Sequence, residues 1–373
     1  MGKPGASLTV HQPSADAGRH ALAEILSQPR CWSDCLHLLE QKDLIRDVTA
    51  PYADSREWLF VGCGSSYYIA QSAAACWSAV TGMQARAIPA SELLLFPDLV
   101  LAGLKNPAAV VISRSGRTSE AVLAAEVLER KKDIRTLALT CFPHEPLEKI
   151  ATRTLCLLPA NEESTVMTRS FTSMLMGLQY LAGSVARNTE VIDALRQLPE
   201  RAENLLGELQ SPVREFVAAR QFADYVCLGQ GPLYGLACES ALKLTEMSVS
   251  YGQSFHTLEF RHGPKSIVAP ETLVVFLLSE SGYASECSVL EEVKHLGGTT
   301  IAIADRVDKR ARRSADLVLE LGLGGLEIAR TPAYVCPAQL AGLYTGLKKG
   351  LDPDNPRNLS QVVILEGGDG SPH

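Results

Sequence analysis

Three ionisable residues, Glu239, Lys243 and Glu246, fall at i, i+4 and i+7 in the stretch GLACESALKLTEMSV. If the stretch is helical, all three project from one face. A glutamate partly desolvated in a cleft is raised toward the pH at which a carboxylate works as a base, so this face is a candidate for moving a proton. The alternative is a charged stripe on a solvated helix. Downstream, HTLEFRHGPKSIV gathers Glu259, Arg261, His262 and Lys265 around Gly263-Pro264. A histidine on such a loop is either structural or a proton-transfer group, because its charge changes near neutral pH.

A second kind of chemistry is anion binding. The turn SRSGRTSE offers Ser113, Ser115, Thr118 and Ser119 around Gly116, with Arg114 and Arg117 adding positive charge. Several donors at one helix start suit a phosphate, and Thr118 or Ser119 can cap that helix. Ser65 and Ser66, after Gly64, offer more hydroxyls. Ser and Thr are also ordinary turn residues, which is the competing explanation. A related turn, Ser279-Glu280-Ser281-Gly282-Tyr283, puts a carboxylate and an aromatic ring where the first has arginines, which repels phosphate. Only the first turn is expected to hold an anion. Neither a Walker A pattern nor a full dinucleotide fingerprint occurs. His262 lacks a histidine partner at ligand spacing and no Cys-x-x-Cys is present, so neither metal nor cofactor is expected.

The elements that carry these residues recur. EWLFVGCGSSYYIAQSA (57–73) is echoed by DYVCLGQGPLYGLACES (224–240), with Gly62 and Gly64 falling on Gly229 and Gly231 at an offset of 167. AAVVISRSGRTSEAV (108–122) is echoed by TLVVFLLSESGYASEC (272–287), with Ser113 and Ser115 falling on Ser279 and Ser281 at an offset of 166. RTLALT against TTIAIA agrees to within a short loop difference. Each run is a short, β-branched apolar stretch, then Gly, then a pattern of period 3.6, as buried parallel strands and crossover helices read. The fold expected is α/β, two tandem doubly wound parallel-sheet domains. The charged, helix-patterned segment 186–212 joins them, and residues 21–39 form one or two helices packed ahead of the pair. The implied division is 1–45, 46–200 and 201–373.

Composition closes off other classes. The 373 residues are 46% hydrophobic and 21% charged, the balance of a globular chain of two or three domains. Lys and Arg number 35 against 42 Asp and Glu, a net charge of −7, so no positive field draws nucleic acid or an anionic membrane. Ten scattered cysteines read as core residues in a reducing compartment. Residues 1–20 lack the apolar stretch of a signal peptide, and Ala6 stands where a myristoylation signal wants Ser or Thr. Apolar runs fall well short of the roughly 18 residues of a membrane span. A cytoplasmic protein is expected.

Taken together, CGSS, SRSGRTSE, SFTSM, ESALKLTEMS, LEFRHGP and DNPRNL resemble the sugar isomerase (SIS) domain family. The pattern is similar to the isomerase half of glucosamine-6-phosphate synthase and to deaminase/isomerases of the tagatose-6-phosphate ketose/aldose isomerase type. The resemblance implies paired flavodoxin-like domains, a homodimer with a shared site, and interconversion of aldose and ketose phosphates through an opened ring. It assigns Ser65, Ser66, Ser113, Ser115 and Thr118 to the sugar-phosphate pocket, where Arg114 adds charge. Glu246 becomes the group that shuttles a proton between carbons 1 and 2, Glu239 and Lys243 its support, and His262 the ring-opening group, usually lent by the partner subunit. Two departures count against glutamine-dependent synthesis: no glutaminase domain precedes the tandem, and Gln361 stands where the synthase has a lysine. TVMTRSFT and FRHGPK look more like the deaminase/isomerase branch. The expected activity is therefore deamination with isomerisation of a hexosamine 6-phosphate, or plain aldose–ketose isomerisation. The alternatives are a regulatory protein that binds a sugar phosphate without converting it, or a synthase-like isomerase without its glutaminase.

Overall fold

The computed structural model describes residues 16–365; the readings made on 1–15, and the tail 366–373, lie outside them. Among the described residues, ten strands form two five-stranded sheets in which every pairing is parallel. The first holds β1 (Glu57–Gly62), β2 (Gln84–Pro89), β3 (Pro107–Ile112), β4 (Thr136–Thr140) and β5 (Arg153–Cys156) in the order β2-β1-β3-β4-β5. The second holds β6 (Asp224–Gly229), β7 (Tyr251–His256), β8 (Thr272–Leu277), β9 (Thr299–Ala304) and β10 (Leu317–Glu320) in the order β10-β9-β8-β6-β7. Both orders are the same doubly wound 2-1-3-4-5 arrangement, so the repeat read from the sequence is a repeat of topology. Strands β1, β3, β4, β6, β8 and β9 are apolar nearly throughout because helices cover both faces of each sheet.

Crossover helices Ser65–Thr81 and Leu233–Ser248 pack against each other between the sheets. Their approach depends on Gly235, where a Cβ would stand 2.5 Å from Ser72 Oγ and from Tyr68 O. One hydrophobic core runs through both domains, taking in Trp58, Trp77 and Leu139 of the first and Leu233, Val275 and Leu340 of the second. Each sheet also has an outer core, around Val61 and Leu128 in one case and Phe276 and Leu290 in the other.

The N-terminal helices Arg19–Leu26 and Gln28–Leu39 lie on this pair, held by the fully buried Trp32, whose Nε1 donates to Thr172 Oγ1 at 2.9 Å. Two helices, Thr189–Arg201 and Leu205–Ala218, make the connection between the sheets. Asp354, in the closing DNPRNL segment, accepts from Ala21 N at 2.7 Å, and its carbonyl accepts from Thr165 N at 3.0 Å. The closing segment is thus stitched to the first helix and to the loop after β5.

Candidate active site

In each sheet the winding direction reverses between the first and third strands of its repeat: β1 and β3, then β6 and β8. Ligands of doubly wound folds enter beyond the carboxyl ends of such strands. Gly62 ends β1, and a Cβ there would stand 2.5 Å from the Ser66 carbonyl carbon. Only glycine lets the Ser65–Thr81 helix start that close to its strand, which brings Ser65 and Ser66 to the sheet edge, 7% and 6% exposed.

The charged face of the Leu233–Ser248 helix is not a solvated stripe. Glu239 and Lys243 are both fully buried and 3.2 Å apart, and Glu246, 17% exposed, also pairs with Lys243 Nζ. Ser65 completes the cluster from the other domain: its Oγ donates to Glu239 Oε1 at 3.1 Å and receives from Lys243 Nζ at 3.3 Å. Burial pushes the Glu239 carboxyl up to about 8 despite the attraction of Lys243. Burial works the other way on Lys243, yet the two carboxylates beside it outweigh that and hold its proton more firmly than usual. A buried ammonium therefore stands next to Glu246, the least buried of the three, and the second oxygen of Glu239 has no hydrogen-bond partner. The arrangement can hold a developing oxyanion beside Lys243 while a carboxylate takes and returns a proton.

The Ser-x-Ser-Gly turn follows β3. Ser113 and Ser115 are 2% and 5% exposed; Ser113 Oγ donates to Thr118 Oγ1 at 3.3 Å, and Ser115 Oγ accepts from Arg117 N at 3.2 Å. Thr118 takes the N-cap position of the Ser119–Glu126 helix, but neither it nor Ser119 caps with its side chain. Ser119 instead engages the tail, its N–H donating to Val363 O and its Oγ accepting from Leu365 N.

Arg114 corrects the sequence reading. Its guanidinium is buried against the carboxylate of Glu162 at 3.1 Å, and donates to the carbonyls of Thr165 at 2.9 Å, Val166 at 3.3 Å and Gln361 at 3.3 Å. Those acceptors consume it, so it fastens the turn to the loop after β5 and to the tail rather than meeting phosphate. Arg117 is half exposed and faces Glu145 at 3.5 Å. Gln361 donates from Nε2 to Glu162 O at 3.3 Å.

His262 is exposed, between the short 3-10 turns Glu259–Arg261 and Pro264–Ile267. Among the described residues no hydrogen bond or ion pair joins it to Glu239, Lys243 or Glu246. Glu292 pins its loop through Arg261 at 2.7 Å and Lys265 at 3.6 Å.

Sequence reasoning missed Glu24 and Glu162, each 4% exposed. Glu162 accepts from Thr168 N at 2.6 Å and Oγ1 at 2.8 Å and from Ser170, while Glu24 accepts from Glu163 N at 2.6 Å and from Ser164. Together they set the shape of the loop beside the turn. Nothing in their local sequence separates them from surface acids. Also missed was the stack of His256 on Tyr234, ring centroids 3.6 Å apart.

With this geometry in view, comparison with known proteins places the chain. The family model described as SIS domain matches twice, over residues 52–183 and 224–345. The chain belongs to the SIS domain family. It has the phosphosugar isomerase type of SIS fold, in two tandem copies. Glutamine–fructose-6-phosphate aminotransferase (isomerizing) of Methanothermobacter thermautotrophicus is 27% identical over 350 residues, covering 92% of this chain and 57% of that enzyme. The chain thus spans little more than half the length of such curated relatives. Among solved structures, glucosamine-6-phosphate deaminase of Thermotoga maritima is 28% identical with a TM-score of 0.75, covering 93% of this chain and all of that one. Tagatose-6-phosphate ketose/aldose isomerase of Escherichia coli, at 24% identity, shares the fold with a TM-score of 0.81 over 96% of this chain and 100% of that one. No helix among the described residues of this SIS protein is long and apolar enough to cross a membrane.

Proposed function

We propose that this SIS protein is a hexosamine 6-phosphate deaminase/isomerase. The observation that carries the reading is the buried Ser65–Glu239–Lys243–Glu246 cluster, which spans both domains at the sheet edges beside the Ser113 turn. In this scheme Ser66, Ser113, Ser115 and Thr118 hold the phosphate, and Ser65, although a hydroxyl of the same edge, serves the proton-transfer cluster. Glu246 removes the C2 proton of the ring-opened amino sugar, giving an enolamine, and returns it to C1, leaving an imine at C2. Water adds there and ammonia leaves, giving the ketose phosphate. Lys243 steadies the negative charge that builds on oxygen during the transfer. In the same scheme His262, exposed and not hydrogen-bonded to the cluster, opens the sugar ring bound by a second copy of the chain.

Residues 46–200 are then the phosphate-gripping unit and 201–373 the proton-moving one. The engagement of Gln361 with Glu162 supports deamination over a route needing a lysine in the tail. The test is ammonia and ketose formation from glucosamine or galactosamine 6-phosphate by wild type and Glu246→Gln. A loss of about 10²–10⁴-fold is expected for removing a general base. Equal rates in the two proteins remove Glu246 from the mechanism, and tight binding without conversion by wild type favours a regulatory role.

A further inference from the structure

The two Ser-x-Ser-Gly turns are equivalent by the repeat, yet their hydroxyls are used differently. In the first, Ser113 Oγ donates to Thr118 Oγ1, and Glu120 takes no hydrogen bond among the described residues. In the second, the counterpart of Thr118 is Ala284, which offers no acceptor, and the counterpart of Glu120 is Glu286. Glu286 is fully buried; it accepts from Ser279 N at 2.6 Å with one oxygen and from Ser279 Oγ at 2.8 Å with the other. Gly282 N donates to the same Ser279 Oγ at 2.9 Å, closing the turn around the carboxylate.

The surroundings carry charges of both signs. A crevice of about 330 Å³ opens on Ser279 and is lined by Glu280, Tyr283, Asp305, Gly324 and Gly325. The sequence suggests that Glu280 repels phosphate, but Glu280 is ion-paired with Arg330. Arg330, 1% exposed, also donates to Gly325 O and lies 3.7 Å from Asp305, and its Nε has no hydrogen-bond partner. A buried cation thus lies against the crevice walls, paired with Glu280 and with its Nε turned toward Asp305, and offsets one of the two wall carboxylates.

We propose that the second-domain turn is the counterpart of the phosphate turn, closed by the chain's own carboxyl group: Glu286 occupies, on Ser279, the place that a phosphate takes on Ser113. This rests on the reading of the first turn as the phosphate site. It follows that the chain binds one phosphate, and that removing the Glu286 carboxylate admits a second.

Equilibrium dialysis of the full chain against inorganic phosphate, with circular dichroism to verify folding, tests this. One equivalent is expected for wild type, none for Ser113→Ala, two for Glu286→Ala, and one for the Ser113→Ala/Glu286→Ala double variant, lost again when Ser279→Ala is added. One equivalent in folded Glu286→Ala overturns the plug and leaves the first-domain reading intact. Should Glu286→Ala not fold, Ser113→Ala still decides: phosphate retained there and released by adding Ser279→Ala means the second turn was open, which overturns the plug. Wild-type binding abolished by Ser279→Ala and untouched by Ser113→Ala overturns both readings.

Discussion

Lys243 is the residue on which the cluster's charge balance turns. It is a buried cation between two carboxylates, so Lys243→Met leaves Glu239 without its counter-charge in a dry site. Breaking a buried pair by removing one partner costs about 3–5 kcal/mol, and urea unfolding of Lys243→Met should show a loss of that order. The Glu239→Gln/Lys243→Met double variant should recover part of it, because the fully buried carboxylate is then gone too and only Glu246, 17% exposed, has lost its partner. Arg114 behaves similarly: Arg114→Met strands Glu162, and a loss of about 3 kcal/mol is expected, with Arg114→Lys intermediate because an ammonium cannot reproduce a guanidinium's set of bonds.

Glu286 gives stability a pH dependence. Burial pushes its carboxyl from an ordinary 4.5 to about 7, against hydrogen bonds from Ser279 that pull it down. Folding therefore favours the protonated form, and this contribution is complete below pH 4.5 and lost as pH rises through about 7. At about 1.4 kcal/mol per unit the span is roughly 3 kcal/mol. Unfolding free energies measured from pH 4.5 to 8 should fall for wild type and fall by that much less for Glu286→Gln. Glu239 has the same sign, so Glu286→Gln leaves part of the slope in place. A slope unchanged by Glu286→Gln would place the titration elsewhere.

At the scale of elements, the contact between the Ser65–Thr81 and Leu233–Ser248 helices positions the cluster, since Ser65 comes from one and the three ionisable residues from the other. Gly235 sets their spacing. In Gly235→Ala the new methyl meets backbone of the facing helix at Tyr68 O and Ser72 N, which cannot swing aside as a side chain does. Overpacking of this kind costs about 1–3 kcal/mol, and the helices should separate enough to loosen the Ser65–Glu239 bond. The expected result is a lowered Tm together with reduced turnover. Reduced stability with unchanged turnover would show that the cluster tolerates the shift.

For the whole molecule, the largest core is shared by the two domains, and each sheet adds a smaller outer core of its own. A chain whose two sheets share one interior should unfold in a single transition, and calorimetric and van't Hoff enthalpies should agree. Two resolved transitions would mean that the outer cores hold each sheet together independently of the shared one. The stitching of Asp354 to Ala21 and Thr165 points the same way, because it joins the closing segment to the first helix and to the first domain.

What the sequence determined by itself was the repeat and the central strands. An apolar run buried on both faces has no solvent side to satisfy, so β1, β3, β4, β6, β8 and β9 stand out locally. The edge strands β2, β5, β7 and β10 do not, because they are partly exposed and their composition is mixed. Helical spacing was enough to put Glu239, Lys243 and Glu246 on one face. Whether that face met water or the other domain was decided only when the chain closed around Gly235. Arg114 shows the same limit from the other side: its charge is written in the sequence, but Glu162, 48 residues on, determines where that charge is spent. A charge acts through its neighbours in space, and those are set by the tertiary fold.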